Sequence, residues 1–183
     1  MSVGKLTARV LIGGLFIGHG TQKLKGWFGG PGLAGTTGMM QSLDMHPARQ
    51  NALAAGITET AGGAALALGL ATPLASASLI GTMITAIRKV HLPNGPWAAN
   101  GGWEYNAVLI AALAVLAEQG PGPVSVDRLL GSERSGVVWG LGAVALGAAA
   151  STLAIDRGHH SAPPAAPAES PYPGTAGDPV TSE

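Results

Sequence analysis

The stretch ALAAGITETAGGAALALGLA, from Ala52 to Ala71, holds one charged residue, Glu59. An apolar run of this length suits a helix crossing the hydrocarbon of a bilayer, which takes about 20 residues at 1.5 Å rise each. Four further apolar stretches occur in the 183 residues. The chain therefore reads as an all-α integral membrane protein. Composition supports that reading: charged residues make up 11%, against about 25% in soluble domains. The 29 glycines let helices approach closely where lipid supplies no hydrophobic drive between them.

The first span is expected from about Leu6 to Thr21, extendable through Gln22 and Lys23 because a lysine stem can reach back to the interface. Lys5 and Arg9 before LIGGLFIG imitate a signal peptide, but no A-x-A-like site follows, so this span is expected to be retained. The segment Gly26 to Gly38 should break regular structure at Gly29, Gly30 and Pro31, with Trp27 and Phe28 at headgroup level and a short surface helix over Met39 to Met45. Span 2 is Ala52 to Ala71, span 3 Leu74 to about Val90, and span 4 Trp103 to Glu118. His91 to Gly102 should be a non-helical loop.

This gives a four-helix membrane domain over 1–119, a linker over 120–136, a fifth transmembrane helix over 137–157 and a disordered Pro/Ala-rich tail over 158–183. The fifth helix carries a weak small-residue packing signal in Gly140, Gly142 and Gly147, and is either part of the bundle or a peripheral addition to it.

An up-and-down bundle brings the end of span 1, the start of span 2, the end of span 3 and the start of span 4 to one side. That side receives His19, Gln22, Lys23, Glu59, Arg88, Lys89, His91, Glu104 and Asn106. Glu59 lies about seven residues into its span, about 10 Å below the starting surface. A carboxylate at that depth needs a partner or a task. Arg88 is the first candidate partner and Lys23 the second. A helix-joining ion pair and a ligand or proton site explain Glu59 equally well. Gly62 and Gly63, three and four residues on, would let a helix or ligand come close. His19, four residues before Lys23, shares its helical face. Arg9 sits at the opposite end and is expected to bind a lipid phosphate or a helix end.

Several functions are excluded or disfavoured. Zero net charge gives no basic surface for nucleic acid. The absence of cysteine removes disulfides, thiolate nucleophiles and Cys-ligated metal within this chain. His19 and His91 do not read as a haem pair, since neither lies at mid-membrane, and no histidine has metal-like spacing. The glycine-rich pieces lack the flanking pattern of a nucleotide loop.

Arg9-x-x-x-Gly13, Gly18-His19-Gly20-x-x-Lys23, Glu59-x-x-Gly62-Gly63, Leu68-Gly69-x-x-Thr72-Pro73 and Asn100-Gly-Gly-Trp-Glu104 occur in that order across four spans. In this the chain resembles the DoxX family of small bacterial membrane proteins, actinobacterial members especially, over about Leu6 to Glu118. The resemblance implies a four-helix bundle, multi-pass in the bacterial cell membrane, and an accessory subunit of a quinone-linked or oxidative-stress redox complex. No catalytic residue is implied. His19, Lys23, Glu59, Gly63 and Arg88 are the candidate residues for a quinone or lipid headgroup, with Arg9 also worth testing. A redox-complex protein or a second copy of the chain is the expected partner, and membrane lipid the surroundings. A quinone-dependent oxidoreductase subunit, a small-solute or ion transporter and a membrane-protein assembly factor are the alternatives.

Overall fold

The computed structural model describes residues 3–161. Five long helices carry the fold: α1 (Val3–Lys25), α3 (Ala48–Leu68), α4 (Thr72–Ala86), α5 (Glu104–Gln119) and α7 (Val137–His160), with α2 (Gly32–Ser42) and the single turn α6 (Val126–Leu129) between them. They run up and down. The ends of α1, α4 and α7 meet the starts of α3 and α5 on one side, here termed the cavity end.

Helix boundaries follow local chemistry. α1 stops at Gly26, whose φ of 73° is left-handed. α3 stops at Gly69, where the amides of Gly69 and Leu70 turn back to the carbonyls of Leu66 and Ala65, the Schellman pattern. Pro73 in the first turn of α4 restarts the helix two residues after Ala71, which is held at φ 45°. The α4 C-terminus widens into a π-helical turn over Ile87–His91, followed by 3₁₀ turns at Leu92–Asn94 and Ala98–Asn100. The expected non-helical loop is thus built largely of short helical turns. Regular structure breaks at Gly30 and Pro31, as expected, but the helix that follows, α2, starts at Gly32 and ends at Ser42 instead of covering Met39 to Met45. This helix forms because it packs on α1 and α3, and tertiary contact overrides glycine's poor helix propensity. The C-terminal boundary also shifts: α7 continues through His160, three residues past the expected limit, since Pro163 is the first breaker. The tail from 162 onward lies outside the described residues.

The helices are not arranged as four helices with a fifth attached. α1 pairs with α3, α4 sits centrally against α3, α5 and α7, and α1 scarcely meets α5. Two close approaches explain this. A Cβ on Gly63 would lie 2.6 Å from the Gly13 carbonyl oxygen, so only glycine lets α1 and α3 touch along their backbones there. A Cβ on Gly147 would come within 2.8 Å of the Ala77 carbonyl oxygen, which seats α7 against α4. A hydrogen bond from Thr85 Oγ1 to Ser151 Oγ (2.9 Å) reinforces the second contact. The shared core includes Phe16, Leu66, Leu79, Ile80, Leu113 and Ala143.

Leu11, Ile57, Leu74, Val108, Val115, Leu141 and Leu153 are exposed on the outer faces of the long helices. So many exposed large apolar side chains suit a lipid or protein cover. Among the described residues α7 is the one helix long and apolar enough to cross a membrane, and only 28% of its apolar window is buried within the protein.

Candidate functional site

A cavity of about 820 Å³ opens at the cavity end between all the long helices and α2. Its walls are mostly apolar, with Phe16, Leu109 and four of the chain's five methionines (Met39, Met40, Met45 and Met83) among them. Unbranched thioether side chains adapt to irregular occupants. Charged and histidine side chains enter from three elements: His19 and Lys23 from α1, Glu59 from α3, and Lys89 and His91 from the π turn.

Glu59 is 3% exposed and accepts a 2.6 Å ion-pair hydrogen bond on Oε2 from Lys23 Nζ. Of the two expected partners, Lys23 is therefore the one used. Arg88 does not reach this pair; it donates to Thr152 Oγ1 of α7 at 3.1 Å. Depth alone favoured Arg88, but the π turn changes the helical register and re-aims the side chains that follow α4. Arg88 and Gly63 are absent from the cavity wall, the latter because it is spent on the α1 contact. His19, Lys23 and Glu59 are brought together there.

His19 Nδ1 pairs with Gln22 Oε1 at 3.1 Å, leaving Nε2 without a hydrogen bond among the described residues. Asn106 Nδ2 donates to Met83 Sδ at 3.4 Å. Glu104 turns away and accepts from the Ala98 amide at 2.9 Å. Trp27, Phe28 and Trp97 are exposed around this end, as side chains at a bilayer interface would be.

The contributions of Ser151 and Ala154 from α7, and of the methionines, were missed by sequence reasoning. The clustering of Met39, Met40 and Met45 ahead of span 2 was the available signal.

A second buried polar cluster closes the opposite end. Arg9 is 1% exposed and donates to the carbonyls of Pro121, Ala67 at 3.2 Å and Val124 at 2.8 Å. It binds a helix end, as expected, rather than a lipid phosphate. Asp127 lies close enough to interact electrostatically with it. Its carboxylate accepts from the Ala71 amide (2.8 Å), the Thr72 amide (3.1 Å), Thr72 Oγ1 (3.1 Å) and Ser132 Oγ (3.2 Å). Asp127 thereby caps α4 from a distant part of the chain and pins the left-handed Ala71. Burial pushes its pKa up, but the hydrogen bonds from Thr72, Ala71 and Ser132 outweigh that and hold it below the ordinary aspartate value. Sequence reasoning left this residue in a linker. The signal was Arg9 itself, a cation within an apolar span that needs carbonyls or an acid nearby.

Residues 4–92 match the DoxX family. The match ends at the π turn and does not extend over span 4, short of the resemblance drawn from sequence to Glu118. No curated protein and no solved structure matches the chain. The matched part contains α1, α3, α4 and the Lys23–Glu59 pair, while α5, α6 and α7 lie beyond it. Residues 4–92, just under half of the chain, are similar to the DoxX family, and that similarity together with the apolar helix α7 supports a place for the chain in a membrane.

Proposed function

We propose that the protein is a multi-pass accessory subunit of a membrane-associated redox complex, and that its cavity holds a quinone or a lipid headgroup. The observation that carries this reading is the buried Lys23–Glu59 pair set in the wall of a large apolar cavity. A purely structural ion pair gains nothing from an 820 Å³ space beside it. That volume falls within the range of about 300–1,000 Å³ typical of small-molecule sites, which are mostly apolar with a few convergent polar groups.

The residues present suit a quinone head: His19 Nε2 and Lys89 offer polar contacts above an apolar wall. A bound quinone would supply two-electron chemistry coupled to protons. The chain's own part is to orient the head, exclude water with the methionines, and accept or donate a proton at His19 Nε2. With no cysteine of its own, the chain would rely on a partner for electrons.

Gentle purification followed by mass spectrometry of co-purifying proteins and extracted small molecules tests the reading. A stoichiometric redox protein together with a quinone or lipid is the expected result. A protein free of both, combined with solute flux that depends on Glu59, would replace it with transport.

The multi-pass part has its own test, made clean by the absence of native cysteine. Ser42, at the cavity end, and Ser135, at the other, are both exposed. Single variants Ser42→Cys and Ser135→Cys are expected to react with an impermeant maleimide from opposite sides of the membrane. Labelling of both from one side would rule out the up-and-down crossing.

A further inference from the structure

We infer that the occupant of the cavity is an amphiphile with an anionic head, a long-chain carboxylate or its phosphate-headed counterpart, seated by Lys89 and His91. The inference rests on the reading of the cavity as a ligand site and narrows it to one chemical class.

Glu59, the carboxylate of the cavity wall, is already answered by Lys23 at 2.6 Å. Lys89 also lines the cavity, yet among the described residues no carboxylate lies within ion-pair distance of its Nζ. Its contact is the ring nitrogen Nε2 of His159 at 3.3 Å. His159 Nδ1 faces Asp44 Oδ2 at 3.7 Å, so Nδ1 is the natural place for the ring proton and Nε2 accepts from the ammonium. Two of the three ammonium protons are left for an occupant.

His91 is two residues further along the same π turn. Its Nδ1 pairs with the Gly101 carbonyl at 2.7 Å, and because a carbonyl only accepts, the ring proton sits on Nδ1. Nε2 of this cavity-lining residue is then available as an acceptor when neutral, for a protonated acid head, and as a second donor when the ring is charged. The excess charge of the cavity wall is therefore positive and gathered at one place, above an apolar interior that ends in Phe16, Met83 and Leu109. A neutral quinone head would leave the Lys89 charge unanswered. An anionic head answers it with charge-assisted hydrogen bonds, roughly twice as strong as neutral ones.

The test uses the full chain in an uncharged maltoside detergent and four probes: oleate, oleyl phosphate, oleyl alcohol and decylubiquinone, with binding followed by native mass spectrometry and calorimetry. Oleate or oleyl phosphate is expected to bind as a single molecule and at least about tenfold more tightly than oleyl alcohol, the worth of one charge-assisted contact. Whichever acid binds better identifies the source of the head. Lys89→Met should remove most of that preference. Arg88→Met, which alters the neighbouring cation outside the cavity, should leave it intact and so separates this site from general attraction of anions. Equal binding of alcohol and acid overturns the inference, as does binding of decylubiquinone alone, while both leave the cavity reading standing. Failure of all four probes to bind overturns the cavity reading as well. The comparison of acid with alcohol on the unmutated chain decides the matter even where a variant does not fold.

Discussion

Asp127→Ala is expected to destabilise the protein by about 3–5 kcal/mol, the usual cost of removing one member of a buried charged cluster. The reason lies in what the carboxylate does. It accepts four hydrogen bonds, two of them from the Ala71 and Thr72 amides that begin α4. It also offsets the charge of Arg9, which is 1% exposed. Without it, α4 loses its cap, Ala71 loses the contacts that hold its left-handed backbone, and Arg9 is left among carbonyls alone. The measurement is thermal unfolding in detergent, followed by tryptophan fluorescence. Glu133→Ala is the control, since it breaks the exposed Arg128–Glu133 pair in the same loop and should change little. An Asp127→Ala protein with an unaltered midpoint would remove the end cluster from the account of the fold.

The same residue gives a pH signature. Its folded pKa is held below the ordinary value of 3.8. The stability it contributes is therefore complete above 3.8 and is lost as pH falls from there through the folded pKa. The gap in midpoint between the wild-type chain and Asp127→Asn should be constant from neutral pH down to that value and then shrink. A gap that stays constant at still lower pH would show that the carboxylate's charge is not what stabilises the loop.

The positions of the five long helices were legible because runs of apolar residues mark them, although among the described residues only α7 is long and apolar enough to cross a membrane. Their lateral arrangement was not. Contact between α4 and α7 depends on Gly147 and Gly81, and small residues leave almost no pattern beyond a general abundance of glycine. The cavity end was legible from connectivity, since successive helices must alternate direction. Rotation about each helix axis was the missing quantity. It decided that Lys23, and not Arg88, meets Glu59, and that Gly63 serves the α1 interface. The π turn was a further obstacle, because no residue in Ile87–His91 announces a wider turn. Asp127 was hidden for a different reason: a polar residue in a loop carries no periodicity, and its burial follows only from the folding of that loop over the α3–α4 turn.

Lys23 and Glu59 allow the structural and functional readings of the ion pair to be separated. Lys23→Met should be the more damaging single change, by about 3 kcal/mol or more, because it leaves the Glu59 carboxylate buried without a counter-charge. Glu59→Met should cost less. The Lys23 side chain is 22% exposed, and its long stem can carry the ammonium to the cavity mouth. The double variant Lys23→Met/Glu59→Met should recover most of the loss, since replacing both charges with apolar groups of similar size is often neutral. Unfolding midpoints of the four proteins close the cycle and yield the coupling between the two charges. A double variant no more stable than Lys23→Met would mean that the pair is not coupled as its 2.6 Å contact implies. A stable double variant that still co-purifies with the same partner and ligand would make the pair a helix tie and nothing more. The expected outcome is a folded protein that binds its ligand more weakly, because the pair is set in the wall of the cavity while Lys89 and His91 are unchanged.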